Sequence, residues 1–438
     1  MRKLSKILII IFLLVNITTQ FSTYGLIDNF TYANESKYSF SKLRLNGYGT
    51  ISNTYDDNDK MSPFRDVSRS SIGFNSFDEN STWRLDSRLG LQAHYRFSQK
   101  VDFVLQGVMR DKSDPDFYNS IESAHLGLRP VPEIFIRLGR FSYDAFMMSD
   151  IRNTGYAYLW VRPPLEFYNW IPIFCLDGAD ASYSINLDDS QWSLRIQYGS
   201  NEMKVPMGED QYSFETDDVL TLTLSGHSGP LTLKAGYSQF SPNKEVNAFL
   251  PLHKGLETIA QATSETMPDI SKEASSLRNN IYFQESKITY MTLGASYDDG
   301  TWVAQAEIGK STSEGDIIPN GKMGYISVGY RVGDFTPYLV FRAIQPNTNL
   351  HEPSSDWSLI GQEALQSQAI YIANSTRMEQ HSYSLGLRWD FTNQAALKFQ
   401  WDNNHIDPYG YGLWWREIEL LPENTTINLY TLSWEFVF

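Results

Sequence analysis

Apolar residues recur at every second position along much of the chain, and this spacing limits the possible folds more than any other feature. The stretch Trp83–Phe97 shows it best. One set of alternate positions is almost wholly apolar (Leu85, Ser87, Leu89, Leu91, Ala93, Tyr95, Phe97), and the other is polar (Arg84, Asp86, Arg88, Gln92, His94, Arg96). Because alternate side chains of a β-strand point to opposite faces, the pattern predicts a strand with one apolar face.

The same alternation predicts sixteen strands between residues 42 and 438. They are Leu43–Ser52, Arg84–Phe97, Val101–Arg110, Ser120–Arg129, Ile134–Arg140, Gly178–Ile185, Gln191–Tyr198, Val219–Ser225, Leu231–Phe240, Ile288–Tyr297, Trp302–Lys310, Gly324–Val332, Phe335–Ala343, Ser382–Phe391, Ala395–His405 and Leu429–Phe438. After the N-terminal apolar run Ile7–Val15, no segment offers about 18 consecutive apolar residues, so no transmembrane helix is expected.

The connections between these strands alternate between short and long. The long ones include residues 53–82, 141–177, 241–287 and 344–381, and two of them contain helix-like stretches, Gly255–Glu265 and Leu359–Ile372. An even strand count with this alternation is typical of outer-membrane proteins, in which short turns face the periplasm and long loops face outside. We therefore predict an all-β fold, a transmembrane antiparallel up-and-down β-barrel of about sixteen strands.

The N-terminus has the layout of an export signal. Arg2, Lys3 and Lys6 precede an apolar run of nine residues, and a cleavage site after Gly25 follows. The sequence thus predicts a signal peptide at 1–25, a short extension at 26–41 and a barrel at 42–438. Without the three leader cations the net charge falls from −15 to −18. An exported chain this acidic is not expected to bind nucleic acid.

The end of the chain resembles the assembly signal of Gram-negative outer-membrane proteins. Its alternating residues are Tyr430, Leu432, Trp434, Phe436 and the terminal Phe438. Residues 42–438 as a whole resemble a sixteen-strand porin, and 155–164, 382–390 and 396–400 are similar to stretches of porin-like proteins. This resemblance implies a place in the bacterial outer membrane, contact with its lipid and lipopolysaccharide, insertion by the barrel assembly machinery, passage of small hydrophilic solutes and a homotrimer.

The polar face of the predicted strands lines the lumen, and about sixteen strands leave it wide enough for water and small solutes. The predicted pore-lining residues are Arg44, Arg84, Asp86, Arg88, Arg96, Arg110, Arg129, Arg137, Arg195, Lys234, Arg331, Arg342, Arg388 and Lys398. Their excess of cations would raise the local anion concentration and predicts a modest anion preference. Alternatively, these cations pair with Asp86, Asp102, Asp390 and loop carboxylates as a structural ladder.

The third long loop, residues 142–177, combines charged and aromatic residues with a Pro163–Pro164 pair that fixes its backbone. The resemblance implies that this loop folds into the barrel and narrows it. The residues predicted at the constriction are Asp144, Asp150, Arg152, Arg162 and Glu166. The alternative is an external loop that caps the barrel or contacts a neighbouring subunit.

Two other functions compete with a channel. A barrel-embedded hydrolase would need a His with a Ser or Asp partner, and the sequence contains neither Gly-x-Ser-x-Gly nor His-Glu-x-x-His, so we predict no enzyme, metal or cofactor. An adhesin or structural barrel is the other alternative and stays open. A plugged active transporter would need about 22 strands and a plug domain that the 26–41 extension is too short to supply.

Overall fold

The computed structural model describes residues 42–58, 61–68, 80–112, 116–171, 173–207, 210–318, 320–416 and 422–438. The predicted signal peptide and the 26–41 extension lie outside the described residues. None of the helices within these ranges is both long and apolar enough to cross a membrane.

Sixteen antiparallel strands form one closed barrel. They are β1 Leu43–Asp56, β2 Arg88–Arg96, β3 Val101–Arg110, β4 Ile121–Leu128, β5 Ile134–Ser142, β6 Cys175–Leu187, β7 Ser190–Met207, β8 Asp210–Ser228, β9 Leu231–Phe240, β10 Ile288–Asp298, β11 Trp302–Ser313, β12 Gly321–Tyr330, β13 Phe335–Pro346, β14 Met378–Thr392, β15 Ala395–Tyr411 and β16 Thr425–Val437. Each strand pairs with the next along the chain, and β1 pairs with β16, Tyr48 opposite Val437.

The sixteen strands predicted from alternation are all present, and the predicted fold class is confirmed. Three predictions of extent are wrong. The strand predicted to end at His405 continues to Tyr411. The second strand begins at Arg88 rather than Arg84, because residues 83–87 form a turn. Residues 199–218, predicted as a connection, mostly extend β7 and β8 into a long hairpin with a register shift between Thr216 and Val219.

Apolar side chains cover the outer face of the barrel. Leu91, Leu293, Ile308, Leu339 and Leu432 are each more than half exposed, although each lies in the middle of a strand. An aromatic band follows the short turns, with ring pairs Tyr95–Phe97, Trp302–Tyr330 and Phe335–Trp389 at centroid distances of 4.8, 4.8 and 5.7 Å. The barrel thus exposes apolar side chains on its outer face, where a water-soluble protein exposes mainly polar ones.

The two ends of the barrel differ, and we call them the short-turn end and the long-loop end. Gly229, Gly300 and Gly333 adopt positive φ angles in the tight turns at the short-turn end, a conformation that glycine reaches without strain. Five helices lie in the loops of the long-loop end: α1 Phe117–Ser120, α2 Leu165–Tyr168, α3 Leu250–Ala262, α4 Pro268–Ile281 and α5 Glu363–Asn374. The predicted helices at 255–265 and 359–372 overlap α3 and α5, while α4 was not predicted.

Three 3₁₀-helices and three short strands complete the described elements. The 3₁₀-helices are Gly155–Ala157, Asn247–Phe249 and Trp357–Ile360. Ser81–Thr82 adds to the edge of the barrel beside β1, and Met61–Pro63 pairs with Trp414–Arg416 as a small separate sheet at the long-loop end.

Candidate functional site

The third long loop, which we call L3, connects β5 to β6 and lies inside the barrel. Its residues contact the inner wall on several sides. Trp160 donates from its indole nitrogen to Ser327 Oγ on β12 at 2.7 Å, and the Met147 amide donates to Glu307 on β11 at 2.9 Å. Thr292 on β10 donates to the Ala145 carbonyl at 2.7 Å. L3 therefore crosses the lumen.

A continuous hydrophobic core joins L3, the inner wall and the helices of the long-loop end. Phe167, Trp170 and Ile171 of L3 pack in one cluster with Tyr290 and Phe240 of the wall. The same cluster contains Leu252 and Leu256 of α3, Leu277 and Ile281 of α4, Trp357, and Ala369 of α5. The long-loop half of the barrel is thus filled by side chains packed as in a soluble protein.

Arg162 of L3 lies at the centre of a buried polar cluster. Its guanidinium bonds to Asp86 at 2.6 and 3.0 Å and to Asp402 of β15 at 3.0 Å. It also donates to the hydroxyls of Thr54 and Thr431 at 3.0 and 2.7 Å. Because Arg162 and both carboxylates are buried, each charge depends on the others for its stabilisation.

Glu166 of α2 forms a second anchor between L3 and the wall. Its carboxylate lies 2.7 Å from the guanidinium of Arg342 on β13. Gln380 and Ser382 of β14 donate to the same carboxylate, the former at 2.7 Å. Arg342 also reaches Asp402 at 3.1 Å, so the two anchors share one carboxylate.

Lys398 of β15 binds the L3 backbone directly. Its ammonium donates to the carbonyls of Gly155, Tyr158 and Trp160, each at 2.7 Å. Arg388 of β14 donates to the carbonyls of Tyr156 and Tyr158 at 2.9 Å. A side chain at Gly155 would overlap the Glu435 carboxylate, so glycine permits this close approach of L3 to the wall.

Most of the predicted pore-lining cations have carboxylate or carbonyl partners. The ion pairs are Arg110–Asp66 at 2.6 Å, Arg129–Asp102 at 2.6 Å, Arg137–Asp180 at 2.7 Å, Arg195–Asp144 at 2.6 Å, Lys234–Asp144, Arg331–Asp298 at 2.6 Å and Arg388–Asp390 at 2.7 Å. Arg88 donates to the carbonyl of Asp86 and the hydroxyl of Tyr158. The pairing is the ladder that the sequence left open as an alternative.

Three predicted pore-lining arginines lie at the ends of the barrel. Arg44 and Arg96 are exposed at the short-turn ends of β1 and β2, and within the described ranges neither has an ion-pair partner. Arg84 is a correction: it lies in the turn before β2, 2.7 Å from Asp111, with its side chain 45% exposed. It therefore belongs to the rim of the long-loop end rather than to the wall.

The two remaining predicted L3 residues are less tightly held than Arg162 and Glu166. The Asp150 side chain is 53% exposed and lies 3.9 Å from Arg195. Arg152 places its guanidinium 3.9 Å from the centre of the Phe174 ring. Asp150 is thus a carboxylate within the barrel that is open to solvent.

Sequence reasoning missed several acidic partners. Asp180 lies on β6 at a position of inward parity and could have been found from the alternation that located the strand. Asp66 and Arg65, in contrast, belong to the first long loop, which had no assigned structure. Arg65 bonds to Asp86 at 2.7 Å, so this loop also enters the Arg162 cluster. Nothing in the local sequence indicated that entry.

Below L3, toward the short-turn end, lies a cavity of about 630 Å³. Its roof is formed by L3 residues 147–160 and its wall by β9–β14. The charged residues on this wall are Asp298, Arg331, Arg388 and Asp390, and the others are hydroxyl, amide or apolar side chains. The cavity therefore lies between L3 and the wall of the short-turn half.

A helical cap, α3 to α5 with the segment 350–362, covers the long-loop end. Glu273 of α4 accepts hydrogen bonds from the Ser354 amide, the Trp357 indole and the Gln366 side chain, each at 2.9 Å, and from the Ser355 hydroxyl. Burial tends to raise the pKa of Glu273, but these donors together lower it below its ordinary value. Glu273 thus joins α4 to α5.

The two luminal histidines, His94 and His125, have different partners among the described residues. His125 bonds to Ser123 Oγ at 2.9 Å, but no carboxylate hydrogen-bonds to its ring. His94 lies 3.2 Å from Asp102. Among the described residues, no group of three or more His, Cys, Asp or Glu side chains is arranged to hold a metal ion.

The barrel is similar to solved bacterial porins. Salmonella typhi OmpF, solved in complex with daunomycin, aligns with a TM-score of 0.51 and 12% identity over 90% of this chain and 97% of that one. An anion-selective porin from Comamonas acidovorans aligns with a TM-score of 0.49, 12% identity and coverage of 90% and 99%. The outer-membrane channel DcaP of Acinetobacter baumannii aligns with a TM-score of 0.48 and 12% identity over 90% of this chain and 97% of that one.

No protein-family model and no curated protein matches the sequence. The likeness to the Salmonella protein shows the fold: this chain is a sixteen-strand barrel of the porin type.

Proposed function

We propose that this protein is an outer-membrane porin, a passive channel for small hydrophilic solutes in a Gram-negative bacterium. One observation carries the proposal: a closed sixteen-strand barrel combines an apolar outer face with a polar inner face that surrounds a folded-in loop. Closure pairs every strand, which hydrocarbon requires, and the exposed leucines would contact lipid. The porin-type fold supports the same function.

Planar-bilayer recording tests this proposal. The purified barrel should insert and produce discrete conductance steps. A bilayer that stays silent after verified insertion of folded protein would refute the channel function. A non-conducting adhesin or structural barrel is the second candidate, and one observation favours it: L3 and the helical cap fill the long-loop half of the lumen. The same recording separates the two functions.

L3 is proposed to set the constriction. Its support is the contact of residues 144–170 with β7, β9–β16 and the inner cluster around Arg162. Deletion of residues 150–170 should raise single-channel conductance. An unchanged conductance in a correctly folded variant would mean that solutes pass elsewhere.

The modest anion preference predicted from the luminal arginines stays a prediction. The pairing of Arg137, Arg195, Arg342 and Arg388 with carboxylates weakens its basis, whereas the unpaired Arg44 and Arg96 at the short-turn end support it. The sign of the reversal potential measured across a salt gradient tests this preference. A cation-selective sign would refute the proposed anion preference.

The last strand is proposed as the assembly signal read by the barrel assembly machinery. Tyr430 and Phe438 are exposed on the outward face of β16, and Trp434 and Phe436 share that face, half-buried. Removing Phe438 should reduce the amount of folded barrel in membranes more than it changes the stability of barrel refolded in detergent. We also propose that the barrel contacts lipopolysaccharide and that it forms a homotrimer. Cross-linking in native membranes tests the trimer.

A further inference from the structure

The charged groups of the cavity below L3 are already neutralised by one another. Arg331 holds Asp298 through two hydrogen bonds of 2.6 and 2.8 Å. Arg388 likewise contacts both oxygens of Asp390 at 2.7 and 2.9 Å. Since bidentate pairs satisfy both charge and hydrogen-bonding geometry, this wall offers no free ion to a solute.

Neutral polar groups, in contrast, form a row across four neighbouring strands of the same wall. Thr232 of β9 is opposite Ser296 of β10, Ser296 is opposite Gln305 of β11, and Gln305 is opposite Ser327 of β12. Neighbouring strands are roughly 4.8 Å apart, so the row spans roughly 14 Å. This is the length of a short oligosaccharide rather than of a single small ion.

The row keeps unused hydrogen-bonding capacity. Gln305 donates from its amide to Tyr325 at 2.7 Å, which leaves its carbonyl oxygen available. Thr232 contacts the ring of His227 at 3.1 Å, which uses one site of its hydroxyl. The Ser296 hydroxyl has no partner among the described residues, and all three side chains are half-buried. A hydroxyl can donate once and accept twice, so the row can both give and receive hydrogen bonds.

The roof of the cavity is largely apolar. Tyr156, Leu159 and Met147 of L3 are half-buried and line the same cavity as the polar row. Tyr156 is held in place because its hydroxyl donates to the Asn393 carbonyl at 2.9 Å and Arg388 lies 4.8 Å from its ring centre. A cavity lined both by apolar side chains and by a row of hydroxyl and amide groups complements a molecule with C–H faces and hydroxyl edges.

We propose that this cavity is a binding site for an uncharged short oligosaccharide. The proposal rests on the proposed function for the route by which a solute reaches the cavity. Binding itself can be measured without conduction, so the two can fail separately. To form an ion pair with this wall, a zwitterion or an anion would have to separate Arg331 from Asp298 or Arg388 from Asp390. A neutral polyol instead uses the hydroxyl and amide groups of the row, which are free to form hydrogen bonds.

Isothermal titration calorimetry of the full-length barrel in detergent tests the proposal, with lactose and its carboxylate derivative lactobionate as probes matched in size. Lactose should bind weakly and saturably, and lactobionate should bind roughly tenfold less tightly, because its carboxylate finds no free cation. Triglycine serves as the zwitterionic probe and should not bind measurably. Equal or tighter binding of lactobionate or triglycine would overturn the assignment.

The combined variant Thr232→Val, Ser296→Ala, Gln305→Leu removes the free groups with little change of volume. It should lower lactose affinity roughly tenfold, while Thr289→Val on the outward face of β10 leaves it unchanged. Unheated gel electrophoresis confirms that each variant is folded. Absent lactose binding in the wild type, or unchanged affinity in the triple variant, refutes the inference even if the barrel conducts. Lactose binding by a barrel that does not conduct would refute only the channel.

Discussion

The two halves of the lumen are built on different principles. In the long-loop half, L3 and the helical cap pack against the wall through a dry apolar core and buried ion clusters such as that of Arg162. In the short-turn half, the wall bounds an open cavity and its ion pairs are less buried, with side-chain exposures of 37% and 48% for Arg331–Asp298 and of 13% and 34% for Arg388–Asp390. Ion pairs inside the barrel therefore depend on burial: those of the long-loop half are shielded from solvent, and those of the short-turn half are partly solvated.

This contrast teaches that inward parity alone does not define a pore-lining residue. Lys398 and Arg388 both point inward, yet Lys398 is fully buried beneath three L3 carbonyls, whereas Arg388 lines the cavity. A buried charge that loses its partner costs several kcal/mol, while an exposed pair costs little. The position of L3 decides which case applies to each residue.

The largest effect is expected from Arg162→Ala. Its removal leaves Asp86 and Asp402 buried with fewer partners and should cost about 3–5 kcal/mol of local stability. L3 should then show faster hydrogen exchange and the channel a larger or noisier conductance. Arg84→Ala is the matched control, because the exposed Arg84–Asp111 pair should contribute roughly 0–1 kcal/mol. Equal effects of the two variants would show that the buried Arg162 cluster contributes no more to stability than an exposed ion pair.

Lys398→Met should have a smaller effect. The substitution keeps the length of the side chain but removes three hydrogen bonds, those from the ammonium to the carbonyls of Gly155, Tyr158 and Trp160, at a cost of about 1–3 kcal/mol. Hydrogen exchange of residues 155–162 should accelerate, while exchange in α4 stays as in the wild type. Unchanged exchange of 155–162 would show that L3 is held without Lys398.

Glu273→Gln tests the helical cap through its pH dependence. The folded pKa of Glu273 is lowered, so its stabilisation is present above the unfolded pKa of about 4.3 and is lost as pH falls through the folded pKa. At pH 7 the variant should weaken protection of α4 and α5 by about 1–3 kcal/mol, and this difference should shrink below about pH 4. Glu257→Gln, at an exposed site on α3, is the control. A difference that grows toward low pH would contradict the lowered pKa.

Arg331→Ala should have the smallest effect on stability, roughly 0–1 kcal/mol, since its pair with Asp298 is partly solvated. It leaves the Asp298 carboxylate free at the cavity wall, and the reversal potential should therefore shift toward cations. A loss of stability comparable to that of Arg162→Ala would show that the short-turn half is packed like the other.

The wall of the barrel was predictable, because dyad alternation is a local property that a lipid-facing strand displays by itself. The strands Val101–Arg110 and Leu231–Phe240 were predicted to the residue. The β7–β8 extension was missed, since those residues project beyond the barrel and lack a strictly apolar face.

The contents of the lumen were only partly predictable. The resemblance pointed to L3, and Arg162 and Glu166 were named from it, but their partners were not. Asp86 lies 76 positions from Arg162 and Asp402 lies 240 positions away, so no spacing rule connects them. The cavity row was also invisible, because Thr232, Ser296 and Gln305 meet only through strand register.

The pairing of β1 with β16 has a consequence for biogenesis. The Gly47 amide donates to the Phe438 carbonyl at 2.8 Å, so the seam of the barrel joins the first strand to the last, which lie far apart in the sequence. Until β16 pairs with β1, each of these two strands has an unpaired edge that is open to pairing with another chain. An unclosed barrel must therefore be kept apart from its copies until the seam has formed.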